Sequence, residues 1–334
     1  MIYRKKILIT GAAGFIGYHL SLKLSKNNEL TLLDNFARNK MDVSFKNLIG
    51  RRNVVFINAD LTKKEFYEKL EKYYDYVIHL AAINGTKYFY EKPYEVLRVN
   101  ILSLMNMTEW VTANNTGKFL FSSSSEAYAG TISEFGESQN FLPTKEDIPL
   151  TISDIFNERF SYGGSKLIGE LVVINYFKSI DCKNYTIVRY HNIYGPRMGN
   201  EHVIPEFCKR IFEKQDPFNI YGGSETRAFC YIDDAVDGTI LALKTKSCDS
   251  QVLHIGNSNE EIMIETLARK LLEINHSSAQ LKINSSPAGS VKRRCPDVIK
   301  LKSLTGYSPK IDIEKGLELT SAWYKKELIK SSIQ

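Results

Sequence analysis

The chain has 334 residues, 43% hydrophobic and 25% charged, with a net charge of +6. That composition supports a sizeable core, excludes a long disordered protein and suits one large domain or a domain with an appendage. Acids and bases alternate and basic blocks such as Lys292-Arg293-Arg294 are short, so an anionic small substrate is expected and nucleic acid is not. Cys182, Cys208, Cys230, Cys248 and Cys295 are odd in number and scattered, with no CxxC pair. A disulfide frame or zinc site is therefore not expected, no metal is assigned, and a reducing compartment fits. The start, Met1 to Lys6, leads into an apolar run too short for a signal peptide, and no later run approaches a membrane span. The expected location is cytoplasmic, with no membrane partner.

Taken in chain order, the first half alternates short apolar runs with helical stretches. Strands are predicted at Ile7–Ile9, Leu30–Leu33, Val54–Ile57, Tyr76–Leu80 and Phe119–Phe121. Helices are predicted at Phe15–Ser25, Lys63–Lys72 and Pro93–Asn114. A helix over Tyr162–Phe177 then leads to a strand at Thr186–Arg189. This alternation predicts an α/β fold, a Rossmann-type doubly wound parallel sheet. Between them, Gly130 to Arg159 reads as a long connection, and long connections beside a site usually carry function. Beyond Tyr190 the texture becomes mixed, with Gly195-Pro196, Asp216-Pro217 and Gly222-Gly223 marking turns. Residues 1–190 are expected to bind a dinucleotide, and 191–334 mainly to form a smaller mixed α/β substrate-binding region. A helix over Asp233–Leu243 is expected to return to the first domain, and Asn259–Glu273 reads as another helix.

The first strand runs into Thr10-Gly11-Ala12-Ala13-Gly14-Phe15-Ile16-Gly17. Glycines at a strand-to-helix turn let backbone amides approach a pyrophosphate at a helix N-terminus. Gly11, Gly14, Phe15, Ile16 and Gly17 are therefore candidate cofactor contacts. Asp34 ends the second strand, 17 residues after Gly17, where an acid accepts from an adenosine ribose and repels a 2′-phosphate. Asn35 follows, and the nearest base is Arg38, so the expected cofactor is NAD and not NADP. Asp60-Leu61 ends the third strand and is placed at the adenine. Ala81-Ala82 ends the fourth, where small side chains let a cofactor lie against backbone.

Tyr162 and Lys166 stand at i and i+4 and share one helix face. A phenol titrates near ~10, so acting at neutral pH requires a lowering of about 3 pH units, roughly 4 kcal/mol. A fixed ammonium supplies part of that by favouring phenolate. Ser122 to Ser125 follow the fifth strand at its C-terminal end, where open α/β sheets bind ligands.

With these motifs in order, the sequence resembles the NAD-dependent epimerase/dehydratase family of extended short-chain dehydrogenases. The landmarks are TGAAGFIG at 10–17, LLDNF at 32–36, DL at 60–61, HLAA at 79–82 and RVN at 98–100. They continue with SSSSEAY at 122–128, YGGSK at 162–166, RYHNIYGPRMG at 189–199, RAFCYIDDAVDG at 227–238 and RRCPD at 293–297. The resemblance implies that Tyr162 is the catalytic base, Lys166 its ribose-binding partner and Ser124 the hydroxyl of the set. It places Asn100 with the cofactor and Ser125, Asn192, Arg227 and Arg294 with the nucleotide-sugar. Arginine suits a diphosphate by its planar fork and permanent charge.

The resemblance also implies the chemistry. Hydride leaves sugar C4 for NAD while Tyr162 takes the hydroxyl proton, and a 4-keto sugar results. Return of hydride to the turned sugar gives an epimer. A second base at C5 permits dehydration, and a C6 carboxylate would leave as carbon dioxide. Glu126 is the informative residue, because simple 4-epimerases usually carry a small or hydroxylic side chain there. Dehydratases pair that glutamate with an aspartate, but this chain has Ser125. Decarboxylation and 4,6-dehydration through Glu126 are thus alternatives to epimerisation. Burial is expected to raise the Glu126 pKa into the range of a useful base. An NADP-dependent carbonyl reductase is disfavoured by Asp34, and a non-catalytic NAD-binding regulator by the retained Tyr162 and Lys166. The Tyr162 helix is apolar on several sides, at Leu167, Ile168 and Leu171 to Ile174, and the resemblance implies a homodimer.

Overall fold

The computed structural model describes residues 1–37, 41–114, 116–135, 141–286 and 291–333. Arg38, read above as the first base after Asp34, lies outside them. Seven parallel strands form the main sheet: β1 (Lys6–Thr10), β2 (Glu29–Asp34), β3 (Val54–Asn58), β4 (Tyr76–His79), β5 (Lys118–Ser124), β6 (Tyr185–Tyr190) and β7 (Gln251–Ile255). Their spatial order is β7-β6-β5-β4-β1-β2-β3. The order reverses between β1 and β4, and open α/β sheets bind ligands beyond the strand ends at such a point.

Burial on both faces explains the strand sequences. Ile7, Leu8 and Ile9 are wholly buried, as are Leu32, Leu33, Val77 and Ile78. Helices cover the sheet: α1 (Phe15–Leu24), α2 (Pro93–Ala113), α3 (Phe160–Ser179) and α4 (Ile232–Lys244). Pro93 opens α2, where its missing N–H costs nothing. Helices α2 and α3 pack on one another. α4 lies against α1, with Lys23 bonded to Asp237 at 2.5 Å, and the Tyr190 and Thr239 hydroxyls share a 2.9 Å hydrogen bond.

Five local features differ from the sequence reading. β7 was not expected as a strand; its partner β6 lies some sixty residues earlier, and the short run Val252-Leu253 has little periodicity of its own. Residues 63–72 make only a short 3-10 helix, Lys64–Lys69, closed by Leu70 in extended geometry. Within 259–273, Glu261–Met263 is a strand paired with Thr226–Ala228, and the helix begins at Ile264. Pairing to a distant strand there overrides the local helix pattern. The connection after Gly130 opens as a helix, Ala129–Phe135, and a helix at Val43–Ile49 was not foreseen.

Among the described residues no helix is long and apolar enough to cross a membrane, and no group of three His, Cys, Asp or Glu side chains could hold a metal.

Candidate active site

A cleft of about 720 Å³ runs along the C-terminal ends of β1, β2, β4 and β5. One end is built on the glycine turn. Gly11 has φ +66°, and a Cβ there would lie 2.9 Å from the Ala81 amide nitrogen. A Cβ on Gly17 would meet the Gly11 carbonyl at 2.2 Å. Both glycines are thus required by close backbone approach. The resulting cradle opens at the α1 N-terminus, the geometry that receives a pyrophosphate.

Gly11, Gly14, Phe15, Ile16, Gly17, Asp34, Asn35, Asp60, Leu61, Ala81 and Ala82 all line this cleft. Asp34 accepts from the Ala13 N–H at 3.0 Å and the Phe36 N–H at 2.8 Å. Burial raises its pKa, and those two amides oppose the rise. Asn35 folds its side chain onto the Ala37 N–H, and Asp60 accepts from the Thr62 amide and hydroxyl. Asn100 stands behind the wall and does not line the cleft. Its amide joins the Ile83 backbone to the Ser165 hydroxyl, tying α3 to the turn after β4.

The other end gathers Ser124, Ser125, Glu126, Tyr162, Lys166, Asn192 and Arg294. The Tyr162 ring stacks on Phe89, with centroids 4.8 Å apart and planes at 10°. The Lys166 ammonium lies 5.5 Å from the centre of the Tyr162 ring and donates to the Ser122 carbonyl at 2.7 Å. Burial pulls its pKa down to about 7, and Glu170 opposes that. Helix α3 is held in place behind them. Glu170 accepts from Ser123 and receives a two-pronged contact from Arg189 at 2.7–2.8 Å. This buried ion pair spans β5, α3 and β6; its effect is geometric more than stabilising.

Ser124 accepts from the Glu126 N–H at 3.2 Å and so caps the turn Ser125–Tyr128. Glu126 sits between two guanidiniums. Arg159 grips it through Nε at 3.1 Å and Nη2 at 3.0 Å, and Arg294 through Nη1 at 2.5 Å. Burial alone would push the carboxyl up. The charges of Arg294 and Arg159 outweigh it and hold the pKa at about 2. The expected rise is therefore reversed.

Asn192 donates to the Ala228 carbonyl at 3.2 Å, with φ +42°. Arg227 does not line the cleft. It bonds Glu225 at 2.9 Å, and burial, aided by the Arg294 charge, lowers its pKa to about 10. The sequence reading missed Arg159. Its spacing three residues before Tyr162, one helical turn, was the available signal.

A dinucleotide cradle that ends in a tyrosine–lysine pair beside a serine-rich strand end defines an oxidoreductase of the short-chain dehydrogenase class. Comparison with known proteins makes this specific. The NAD dependent epimerase/dehydratase family model matches residues 7–256, and the chain belongs to that family. It is 32% identical to the UDP-N-acetyl-alpha-D-glucosaminuronate decarboxylase of Bacillus cytotoxicus, over 97% of this chain and 98% of that one. The UDP-glucose 4-epimerase of Thermotoga maritima, solved with UDP-glucose, superposes with a TM-score of 0.83 at 30% identity, covering 97% of this chain and 99% of that one. The UDP-glucuronic acid 4-epimerase of Bacillus cereus, solved with UDP-glucuronic acid and NAD, gives 0.80 at 29%, covering 96% and 99%. The protein is thus an NAD-dependent enzyme that modifies nucleotide-sugars.

Proposed function

We propose that this enzyme oxidises C4 of a UDP-linked uronate and releases the C6 carboxylate as carbon dioxide. The observation that carries this reading is the cluster at the end of the cleft, where the guanidiniums of Arg159 and Arg294 both bond the Glu126 carboxylate. Two guanidinium forks at the sugar end of the cleft suit a substrate that brings a carboxylate of its own. Two of the relatives named above act on uronates, which supports the same substrate class.

Ser124, Tyr162 and Lys166 serve the first step. NAD, when bound, supplies a hydride acceptor. Tyr162 takes the C4 hydroxyl proton, Lys166 stabilises the phenolate, and Ser124 orients the sugar oxygen. The product is a β-keto acid. Its C5–C6 bond then breaks, the electron pair moves into a C4 enolate, and carbon dioxide departs. A proton added at C5 restores the ketone; C4 then takes back the hydride, and its oxygen the proton held by Tyr162, so that the product differs from the substrate by one carbon dioxide. Arg159 and Arg294 receive the uronate carboxylate, and Glu126 beside them keeps it from being bound too tightly to leave. The glycine turn, Asp34, Asn35, Asp60, Leu61, Ala81 and Ala82 hold the dinucleotide, with Asn100 bracing the wall. Asn192 serves the substrate side, most of which residues 191–334 supply, with Arg227 behind the cleft wall.

Incubation with UDP-glucuronate and UDP-N-acetylglucosaminuronate, followed by mass spectrometry, tests this. A product lighter by one carbon dioxide is expected. A product of unchanged mass and inverted C4 would replace the reading with epimerisation, and loss of water would replace it with dehydration.

The enzyme is also proposed to be a homodimer. On α3, Ile168 and Leu171 are exposed, and on the adjoining α2 so are Tyr94 and Met105. Two such helices from each copy would form a four-helix interface. Light scattering at micromolar concentration should give twice the chain mass; a monomer alone would refute the pairing.

A further inference from the structure

Arg197 lies between β6 and the helix Val203–Phe212, in the part of the chain proposed above to supply the substrate side. It is 3% exposed. Its guanidinium turns towards the cofactor half. Nη1 donates to the carbonyls of Ala13 at 2.9 Å and Gly14 at 3.3 Å, both in the glycine turn. Nε donates to Asp42 at 2.5 Å, and the group lies 4.4 Å from the centre of the Tyr18 ring. The backbone pays for this reach, because Arg197 has φ +71°, a left-handed conformation that arginine adopts at a cost. The preceding residue is tied as well: His19 Nε2, on α1, donates to the Pro196 carbonyl at 2.9 Å.

We propose that Arg197 is a positioning residue for the dinucleotide diphosphate, supplied from the substrate half of the chain. In a planar trans peptide the carbonyl and the following N–H point in opposite directions. The Gly14 carbonyl accepts from the Tyr18 N–H at 3.0 Å as well as from Arg197, and the Phe15 N–H therefore points the other way, towards the cleft that Phe15 lines. Ala13 is held from both sides, its N–H by Asp34 and its carbonyl by Arg197. The turn is thus set before any ligand arrives. The cation also stands behind the α1 N-terminus and adds to the positive field that an anion meets there. Burial raises the Asp34 pKa, and the Arg197 charge is among the influences that oppose this, so the charge reaches across the cradle. Asp42 offsets part of it. The proposal needs only the dinucleotide and is independent of the reaction on the sugar.

Calorimetric titration of the full chain with NAD, ADP and adenosine tests it. Arg197→Met should weaken NAD and ADP by about tenfold and leave adenosine unchanged, since adenosine carries no phosphate. Arg197→Lys keeps the charge but cannot span both carbonyls, and should lie between, at roughly threefold. Asp42→Asn can still cap the Phe45 N–H and removes the opposing charge, so NAD should bind as tightly or more tightly. If Arg197→Met does not fold, the lysine and Asp42 variants decide. Adenosine weakened in step with ADP would overturn the proposal in favour of packing alone. So would unchanged NAD affinity in the folded arginine variants, or NAD weakened by Asp42→Asn as much as by loss of the arginine.

Discussion

Tyr162→Phe is expected to cut turnover by about 10²–10⁴ while the protein stays folded and still binds NAD. The substitution removes only the hydroxyl. The ring stacked on Phe89 keeps its place, because phenylalanine offers the same face at the same 4.8 Å spacing. Removing the one hydroxyl should shift the melting temperature by no more than a few degrees. Lys166 retains its bond to the Ser122 carbonyl. Substrate should therefore bind without hydride transfer, and no NADH absorbance should appear on mixing. Near-normal turnover would move the base to another residue and remove the chemical reason for the Tyr162–Lys166 pair.

Glu126→Gln is expected to separate the two halves of the reaction. In the proposed mechanism the first hydride transfer does not use this carboxylate, so NADH should still form on mixing with UDP-glucuronate. Release of carbon dioxide should then fall by about tenfold or more, because Arg159 and Arg294 hold the substrate carboxylate more tightly in the ground state, and a 4-keto uronate should accumulate or escape. KM should hold steady or fall, because the glutamine no longer competes for Arg159 and Arg294. Full turnover with unchanged products would assign Glu126 a structural role.

The same variant has a pH signature. The folded pKa of Glu126 is about 2 against an ordinary 4.5. A depressed carboxylate contributes stability above its unfolded pKa and loses it as pH falls through the folded one. The wild type should therefore lose this contribution between about pH 4.5 and pH 2, and the glutamine variant should lack that loss. At neutral pH the variant should be less stable by roughly 1–3 kcal/mol, since two partly buried guanidiniums lose their counter-charge. Chemical denaturation at several pH values reads both effects.

Much of the candidate cleft was legible in the residues themselves. Gly11, Gly14 and Gly17 stand at fixed spacing after a buried strand, and Asp34 ends the next one. Tyr162 and Lys166 are one helical turn apart. Each of these relations is local, so strand and helix geometry carry spacing directly into position. The β7 strand, the pairing of Glu261–Met263 and the place of Asn100 behind the wall were not legible. Each depends on which distant segment lies alongside.

The charges of the site show the division most clearly. Taken alone, Glu126 is a carboxylate near a buried strand end, and burial argues for a raised pKa. Its partners are Arg159, 33 residues away, and Arg294, 168 residues away. Closure of the sheet and return of the C-terminal segment bring them within hydrogen-bond reach, and their two charges reverse the sign of the shift. Arg197 meets the glycine turn across more than 180 residues in the same way. The identity and order of the chemical groups were determined by the sequence. Which charge faces which was decided by the tertiary structure, because Coulomb energy depends on separation in space and on the depth of burial, and neither follows from separation along the chain.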